Sequence, residues 1–244
     1  WPLTLSDEIF SMARESGDVM KDVILYHGSR GGIVGEIAPK SRTRCDFGAG
    51  FYLGTHAEQA QSLIAYDSDP VFYTMCFHLS RIAPSKILTL KDMDWAYFVL
   101  CNRGKLESIN GTVFYQKYAD LGKGKDVIVG AIADDNMNYV MRQFTDNQIT
   151  DLALLESIRV IDYGMQYVAK TEAACQAIEI LSQRSIDLSE AISLGQASER
   201  RREECRALVD RILLTYRRKG NYLDEILAKF QQQAQQRGLG ISFP

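Results

Sequence analysis

The chain has 244 residues, of which 46% are hydrophobic and 24% charged, a composition typical of a globular protein that is long enough to bury a core. Its net charge of −3 creates no overall basic field, so charge alone predicts neither nucleic acid nor an acidic membrane surface as a partner. The five cysteines are scattered without metal-ligand spacing, and no apolar run approaches the roughly 20 residues that span a bilayer. We therefore expect a cytoplasmic protein with reduced thiols, without a metal site and without a membrane partner.

Strands and helices are both predicted over the first 170 residues. A capped helix is expected over 6–16, and the apolar run at 23–26 predicts a buried strand, which a long functional loop over 31–50 follows. Alternating side chains over 71–79 form the clearest strand pattern. Further strands are predicted at 87–90, 127–132, 158–161 and 166–169, and further helices at 55–65, 95–101, 136–144 and 152–155.

The pattern changes after Thr171. Nothing strand-like is apparent until the last few residues, and apolar residues recur at helical spacing over 205–216 and again over 222–230. We therefore divide the chain into a domain of residues 1–171 and a helical C-terminal region of residues 172–244. The basic runs at 200–202 and 217–219 alternate with acidic residues, which is more typical of a solvated helix face than of a docking patch.

Two glycine-containing motifs are the candidates for function. Residues 25–29 (LYHGS) place an imidazole at a strand end, beside a glycine that allows a ligand close to the backbone. Residues 46–55 (DFGAGFYLGT) surround an aromatic pair with glycines, which leaves room for a flat ring against the tyrosine. Taken alone, the first motif also fits a structural hydrogen bond, and the second fits a tight turn with core aromatics.

Together and in this order, the two motifs resemble the ADP-ribosyltransferase superfamily. The resemblance is to its poly(ADP-ribose)-polymerase-like and diphtheria-toxin-like branch with a His-Tyr-Glu site, and to an uncharacterised bacterial family of the same clan, DUF3990. It covers about residues 22 to 171. It implies an α+β fold with a split, mainly antiparallel sheet and an NAD-binding cleft, which periodicity alone does not show.

The resemblance also implies roles for individual residues. His27 would bind the adenosine ribose, the backbone of Gly28 the nicotinamide carboxamide, and the ring of Tyr52 would stack on nicotinamide. We expect His27 and Tyr52 to share one cleft because the motifs lie on neighbouring strands. The remaining candidate NAD-binding residues are Ser29, Arg30, Phe51, Ser62 and Tyr66, with Leu63 as another possible wall, and Arg42 and Arg44 as further candidates near the pyrophosphate.

The third motif departs from the family pattern. Residues 165–171 (MQYVAKT) resemble the strand that normally begins with the catalytic glutamate, and that position is Gln166. An amide can accept a hydrogen bond from a ribose hydroxyl, but it carries no charge to stabilise an oxocarbenium-like transition state. Asp126, Asp134 and Asp135 are alternative acids at the ends of a predicted strand, although the last two also suit a helix cap.

The resemblance implies a mono-ADP-ribosyltransferase, a toxin or effector, that uses NAD as its substrate and modifies a protein or nucleic acid acceptor. The catalytic residues would be His27, Tyr52 and Gln166. An NAD glycohydrolase with the same pocket is a close alternative, and a non-catalytic module that binds NAD or ADP-ribose is another. The C-terminal helices could bind an antitoxin or inhibitory partner.

Overall fold

A seven-stranded sheet forms the centre of the computed structural model, which describes residues 21–133, 135–161 and 163–236. The helix predicted over 6–16 lies outside these residues. The strands are β1 (Val23–Ser29), β2 (Phe51–Gly54), β3 (Val71–Phe77), β4 (Ile87–Thr89), β5 (Val127–Ala131), β6 (Met165–Ala169) and β7 (Ile178–Ser185). Their spatial order is β4-β5-β6-β2-β1-β3-β7, and all neighbours are antiparallel except the pair β4 and β5.

Eight α-helices are described around the sheet and beyond it. They are α1 (Ala57–Ser62), α2 (Asp92–Asn102), α3 (Val113–Ala119), α4 (Asp135–Thr145), α5 (Asp151–Val160), α6 (Glu172–Cys175), α7 (Leu188–Thr215) and α8 (Leu223–Gln236). Several begin where the sequence supplies a side-chain cap: Thr150 and Asp187, for example, accept hydrogen bonds from the backbone N–H three residues later.

Two predicted elements are wrong. Of the strand expected at 158–161, residues 158–160 form the last turn of α5 and Ile161 follows it, because buried Ala153, Leu154 and Ser157 continue one helical face from the Thr150 cap. The region 172–244 is not wholly helical, since 178–185 forms the edge strand β7 against β3. Only the first residue of β7 is buried, so this strand lacks the apolar alternation by which strands are predicted.

The apolar core lies on both faces of the sheet. On one face, Leu25, Leu53 and Tyr73 belong to one cluster of buried side chains. On the other, a larger cluster joins α2 through α5 to the C-terminal helices, whose Val209 and Leu223 are buried in it. The predicted α+β class, mainly antiparallel sheet and helical C-terminal part are therefore confirmed. Among the described residues, no helix combines the length and apolar character needed to cross a bilayer.

Candidate active site at the split of the sheet

The two motifs meet where the sheet is most weakly joined. Strand β1 pairs with β3 at seven positions and β2 with β6 at four, but β1 and β2 pair at one position, Tyr26 with Gly54. Beyond it, His27 and Gly28 have no ladder partner in β2. We call this opening between β1 and β2 the split.

A side chain bridges the split in place of a backbone hydrogen bond. The imidazole Nδ1–H of His27 donates to the carbonyl oxygen of Tyr52 at 2.7 Å. A carbonyl can only accept, so Nδ1 carries the proton and Nε2 of the neutral ring is an acceptor. Burial lowers the pKa of His27, against the opposing effect of its bond to Tyr52, and thus favours this neutral form at pH 7.

The rings of His27 and Tyr52 lie on opposite faces of the sheet. His27 stacks on Phe51 with ring centroids 4.5 Å apart and packs beside Tyr73, in the cluster that contains Leu53. Tyr52 packs against the larger cluster on the other face, as strand alternation requires. The expectation that the side chains of His27 and Tyr52 share one cleft is therefore wrong: the two motifs meet through the imidazole of His27 and the backbone carbonyl of Tyr52, and their rings lie on different faces.

The hydroxyl of Tyr52 holds the loop that precedes its strand. It donates to the carbonyl of Gly48 at 2.7 Å and accepts from the backbone N–H of Phe47 at 3.0 Å. Burial raises the pKa of Tyr52 well above its ordinary value, so the phenol stays neutral. The ring is half-buried, which leaves part of it available for contact.

Gly28 is required by the approach of helix α1. A Cβ at this position would lie 2.4 Å from the carbonyl oxygen of Ala60 and 3.1 Å from a side-chain carbon of Ile64. No side chain fits there without moving the helix backbone. The space above Gly28 is therefore filled by protein, and a ligand could contact this residue only through its backbone in the split.

Gln166 lies in a buried polar network on the same face as Tyr52. Its side-chain N–H groups donate to Asp46 Oδ2 at 3.0 Å and to the carbonyl of Ala131 at 2.9 Å. The other carboxylate oxygen of Asp46 accepts from Arg103, with the Nε contact at 2.7 Å. Both amide hydrogens of Gln166 are thus committed to protein, and Oε1 is the part of the amide that remains able to accept a bond.

Asp46 is the carboxylate at this place, and the sequence did not identify it as a candidate acid. Asp126 lies just before β5, whereas Gln166 pairs with Gly130 at the other end of that strand. Asp135 is exposed and pairs with Arg202 at 3.2 Å. Asp134 lies outside the described residues. The signal available in the sequence was the position of Asp46 at the start of the second motif.

Residues 23–180 match the family described as "Protein of unknown function (DUF3990)". The match spans both motifs and the strand of Gln166. The chain belongs to DUF3990. The predicted membership of this family is thereby confirmed. Comparison with curated proteins and with solved structures finds no match.

The remaining candidate residues of this DUF3990 chain do not lie in one site. Phe51 is buried under His27, and the hydroxyl of Ser29 donates to the carbonyl of Gly32 in the following turn. Arg30 lies near Asp67 with 3.3 Å between charged atoms.

The exposed Tyr66 and the half-buried Ser62 line a different feature, a groove of about 730 Å³ between α1, the start of α4, and α7. Further along, Arg44 pairs with Glu107 at 2.9 Å, whereas Arg42 and Leu63 are exposed.

The charge of this groove does not suit a pyrophosphate. Two arginines, Arg202 and Arg206, line it together with four carboxylates. Arg202 is paired with one of these, Asp135, and Arg206 lies over the ring of Tyr139 at 4.1 Å. A dianionic ligand would meet a net negative surface. The split is therefore the better candidate for the chemistry.

Proposed function

We propose that the chain binds NAD⁺ in the split and breaks the bond between nicotinamide and ribose C1′. The bonding electron pair leaves with nicotinamide, C1′ becomes oxocarbenium-like, and a nucleophile of a macromolecular acceptor forms the new bond to C1′. The acceptor loses its proton to solvent, so that NAD⁺ and acceptor give ADP-ribosylated acceptor, nicotinamide and H⁺. This is mono-ADP-ribosyl transfer.

The observation that carries the proposal is the state of His27 at the split. Its Nδ1–H is fixed on the carbonyl of Tyr52, which leaves a neutral Nε2 acceptor between two strands that no longer pair. A ribose hydroxyl is the type of donor such a nitrogen binds. The half-buried ring of Tyr52, whose face can accept a planar heterocycle, lies on the other face of the sheet, so a ligand that contacts both side chains must extend through the split.

On the face of Tyr52, Gln166 and Asp46 would supply the polar wall of the site. Oε1 of Gln166 can accept a hydroxyl of the nicotinamide ribose, and the network with Asp46 and Arg103 holds the amide in one orientation. The neutral amide does not supply the charge that a glutamate would place at C1′. Rate acceleration would then depend on holding ribose and leaving group in a dry, oriented pose.

A second candidate is a binding module without turnover. It is favoured by Gln166, which is neutral and has both N–H groups bound within the protein. Such a module would use the same split and the same ring of Tyr52, and would hold NAD⁺ or ADP-ribose intact.

The deciding experiment uses the full chain with NAD⁺ labelled separately in nicotinamide and in adenine, with and without cell lysate. Nicotinamide release with transfer of the adenine label to protein or nucleic acid supports the transferase, and release as free ADP-ribose identifies a glycohydrolase. Binding without release identifies the module. His27→Ala should weaken NAD⁺ binding or turnover at least about tenfold, the worth of one hydrogen bond, while the exposed His56→Ala serves as control. Absence of NAD⁺ binding to the wild type would overturn the proposal.

A further inference from the structure

A second group of chemically active side chains lies at the opposite end of β1. Asp22 precedes this strand, Cys76 lies on β3, and His78 follows β3. One ligand atom from each, an oxygen, a sulfur and a nitrogen, lies within 4.8 Å of the others. His27 is five positions along β1 from Asp22, about 17 Å at the rise of a strand. The group is therefore separate from the split.

The geometry points to a site for a divalent zinc ion with Asp22 Oδ2, Cys76 Sγ and His78 Nδ1 as its protein ligands. Zinc binds oxygen, nitrogen and sulfur at about 2.0–2.3 Å in a tetrahedron, which places neighbouring ligand atoms about 3.3–3.7 Å apart. Nδ1 of His78 lies 3.7 Å from Sγ of Cys76 and 2.7 Å from Oδ2 of Asp22. The carboxylate must move by about half an ångström to admit the ion, and water takes the fourth position.

The surroundings hold these ligands in the orientation that zinc requires. The Nε2–H of His78 donates to Glu179 Oε2 on β7 at 3.0 Å, which directs the other ring nitrogen toward the metal position, as outer carboxylates do at metal-bound histidines. Asp22 Oδ1 accepts from the backbone N–H of Ser80 at 3.2 Å and from its hydroxyl at 2.7 Å. Oδ2 is thus the oxygen left for the ion.

The balance of charge also favours a cation. Asp22 and Glu179 bring two carboxylates to His78, against the nearby Arg81. Binding would replace the hydrogen bond from Nδ1–H to Asp22 and release that proton and the thiol proton of Cys76 to solvent. The ion would join the start of β1, the end of β3 and β7. Sequence spacing does not show this group, because Asp22 lies 56 positions from His78 and Glu179 lies 101 positions from it.

The test is titration of the chelator-treated, fully reduced chain with Zn²⁺ by calorimetry, and with Co²⁺ by absorption. Wild type should bind one Zn²⁺ per chain and show sulfur-to-cobalt charge transfer. Cys76→Ser and His78→Gln should weaken binding more than about 100-fold, and Glu179→Gln about 10-fold to 100-fold. Cys45→Ser, at another half-buried cysteine, should bind as wild type does.

Two results would overturn the site. One is Zn²⁺ affinity of wild type no greater than that of Cys76→Ser or His78→Gln. The other is a Co²⁺ spectrum of wild type without the thiolate band, which is informative even where a variant fails to fold. Neither result bears on NAD⁺ binding, which this inference does not require.

Discussion

The protonation of His27 links the split to the stability of the fold. Because burial lowers the pKa of His27 in the folded chain below its ordinary value of about 6.5, the neutral ring stabilises the fold above pH 6.5. That contribution is lost as the pH falls through the folded pKa. We expect the free energy of unfolding of wild type, minus that of His27→Asn, to decrease from pH 7.5 toward pH 5.

Urea denaturation across this pH range measures the difference. His78 has the opposite shift, a raised pKa, and its contribution cancels because both chains contain it. A difference that is constant or that increases on acidification would contradict the buried, neutral ring.

The hydroxyl bonds of Tyr52 and its proposed contact with NAD⁺ can be separated by substitution. Tyr52→Phe removes the hydroxyl bonds to Phe47 and Gly48 and should cost about 1–3 kcal/mol of stability, yet keep the ring and hence NAD⁺ affinity within about threefold. Tyr52→Ala removes the ring and should reduce NAD⁺ affinity at least about tenfold, the value of a stacked aromatic contact. Calorimetric titration with NAD⁺ compares the two. Equal affinity of Tyr52→Ala and wild type would exclude stacking on this ring.

Contact between Gln166 and Asp46 predicts a high cost in stability for a glutamate at position 166, the residue that the ADP-ribosyltransferase motif would place there. Gln166→Glu removes both N–H donors and places a second carboxylate against buried Asp46, so we expect a loss of about 2–4 kcal/mol in unfolding free energy. Combining Gln166→Glu with Asp46→Asn again leaves one carboxylate and one amide N–H donor in this pair. The double variant should therefore recover at least half of the lost stability. Chemical denaturation of the wild type and these two variants tests this, and a Gln166→Glu chain as stable as the wild type would show that the two side chains do not touch.

At the scale of elements, the docking of α1 on β1 depends on one glycine. Gly28→Ala would place a methyl group 2.4 Å from the backbone oxygen of Ala60 and should cost about 1–3 kcal/mol. Gly31→Ala is the matched control, since no atom lies within 4 Å of its Cβ position, and it should change stability by less than about 0.5 kcal/mol. Thermal denaturation compares them. Similar stabilities of the two variants would mean that α1 does not lie on β1 here.

The elements that the sequence predicts are those with a clear apolar pattern, either one-sided or continuous. Strand β3 alternates, β5 is wholly apolar, and α7 and α8 carry helical stripes, and all are present. Strand β7 was missed because it is exposed along most of its length. The contact of Gln166 with Asp46 joins positions 120 residues apart. It depends on the pairing of β6 with β2 and on the path of a loop, neither of which local pattern determines.

At the scale of the whole molecule, the C-terminal helices pack onto the sheet domain and do not form a separate unit. Helix α7 contributes Ala191 to the cluster around α1 and Val209 to the larger core. Its side chains also pair with α1, where Glu190 accepts from Gln61 at 3.4 Å and Arg201 contacts Glu58. Residues beyond the family match at 180 therefore cover the helix that follows the Tyr52 motif.

A contact between α7 and Tyr66, which follows α1, predicts that the effect of one substitution depends on its background. A Cβ at Gly195 would lie 1.9 Å from the hydroxyl oxygen of Tyr66, so Gly195→Ala requires this exposed side chain to move, and the movement should offset most of the gain of alanine over glycine within a helix. In a Tyr66→Ala background the obstruction is absent. There the same substitution should stabilise the chain by up to about 1 kcal/mol, the gain of alanine over glycine within a helix.

Unfolding free energies of the wild type, the two single variants and the double variant complete this cycle, whose coupling reports the contact between Gly195 and Tyr66. A gain in helix propensity alone is the same in both backgrounds and gives no coupling. If Gly195→Ala stabilises the wild type as much as it does the Tyr66→Ala chain, the ring of Tyr66 does not lie against α7.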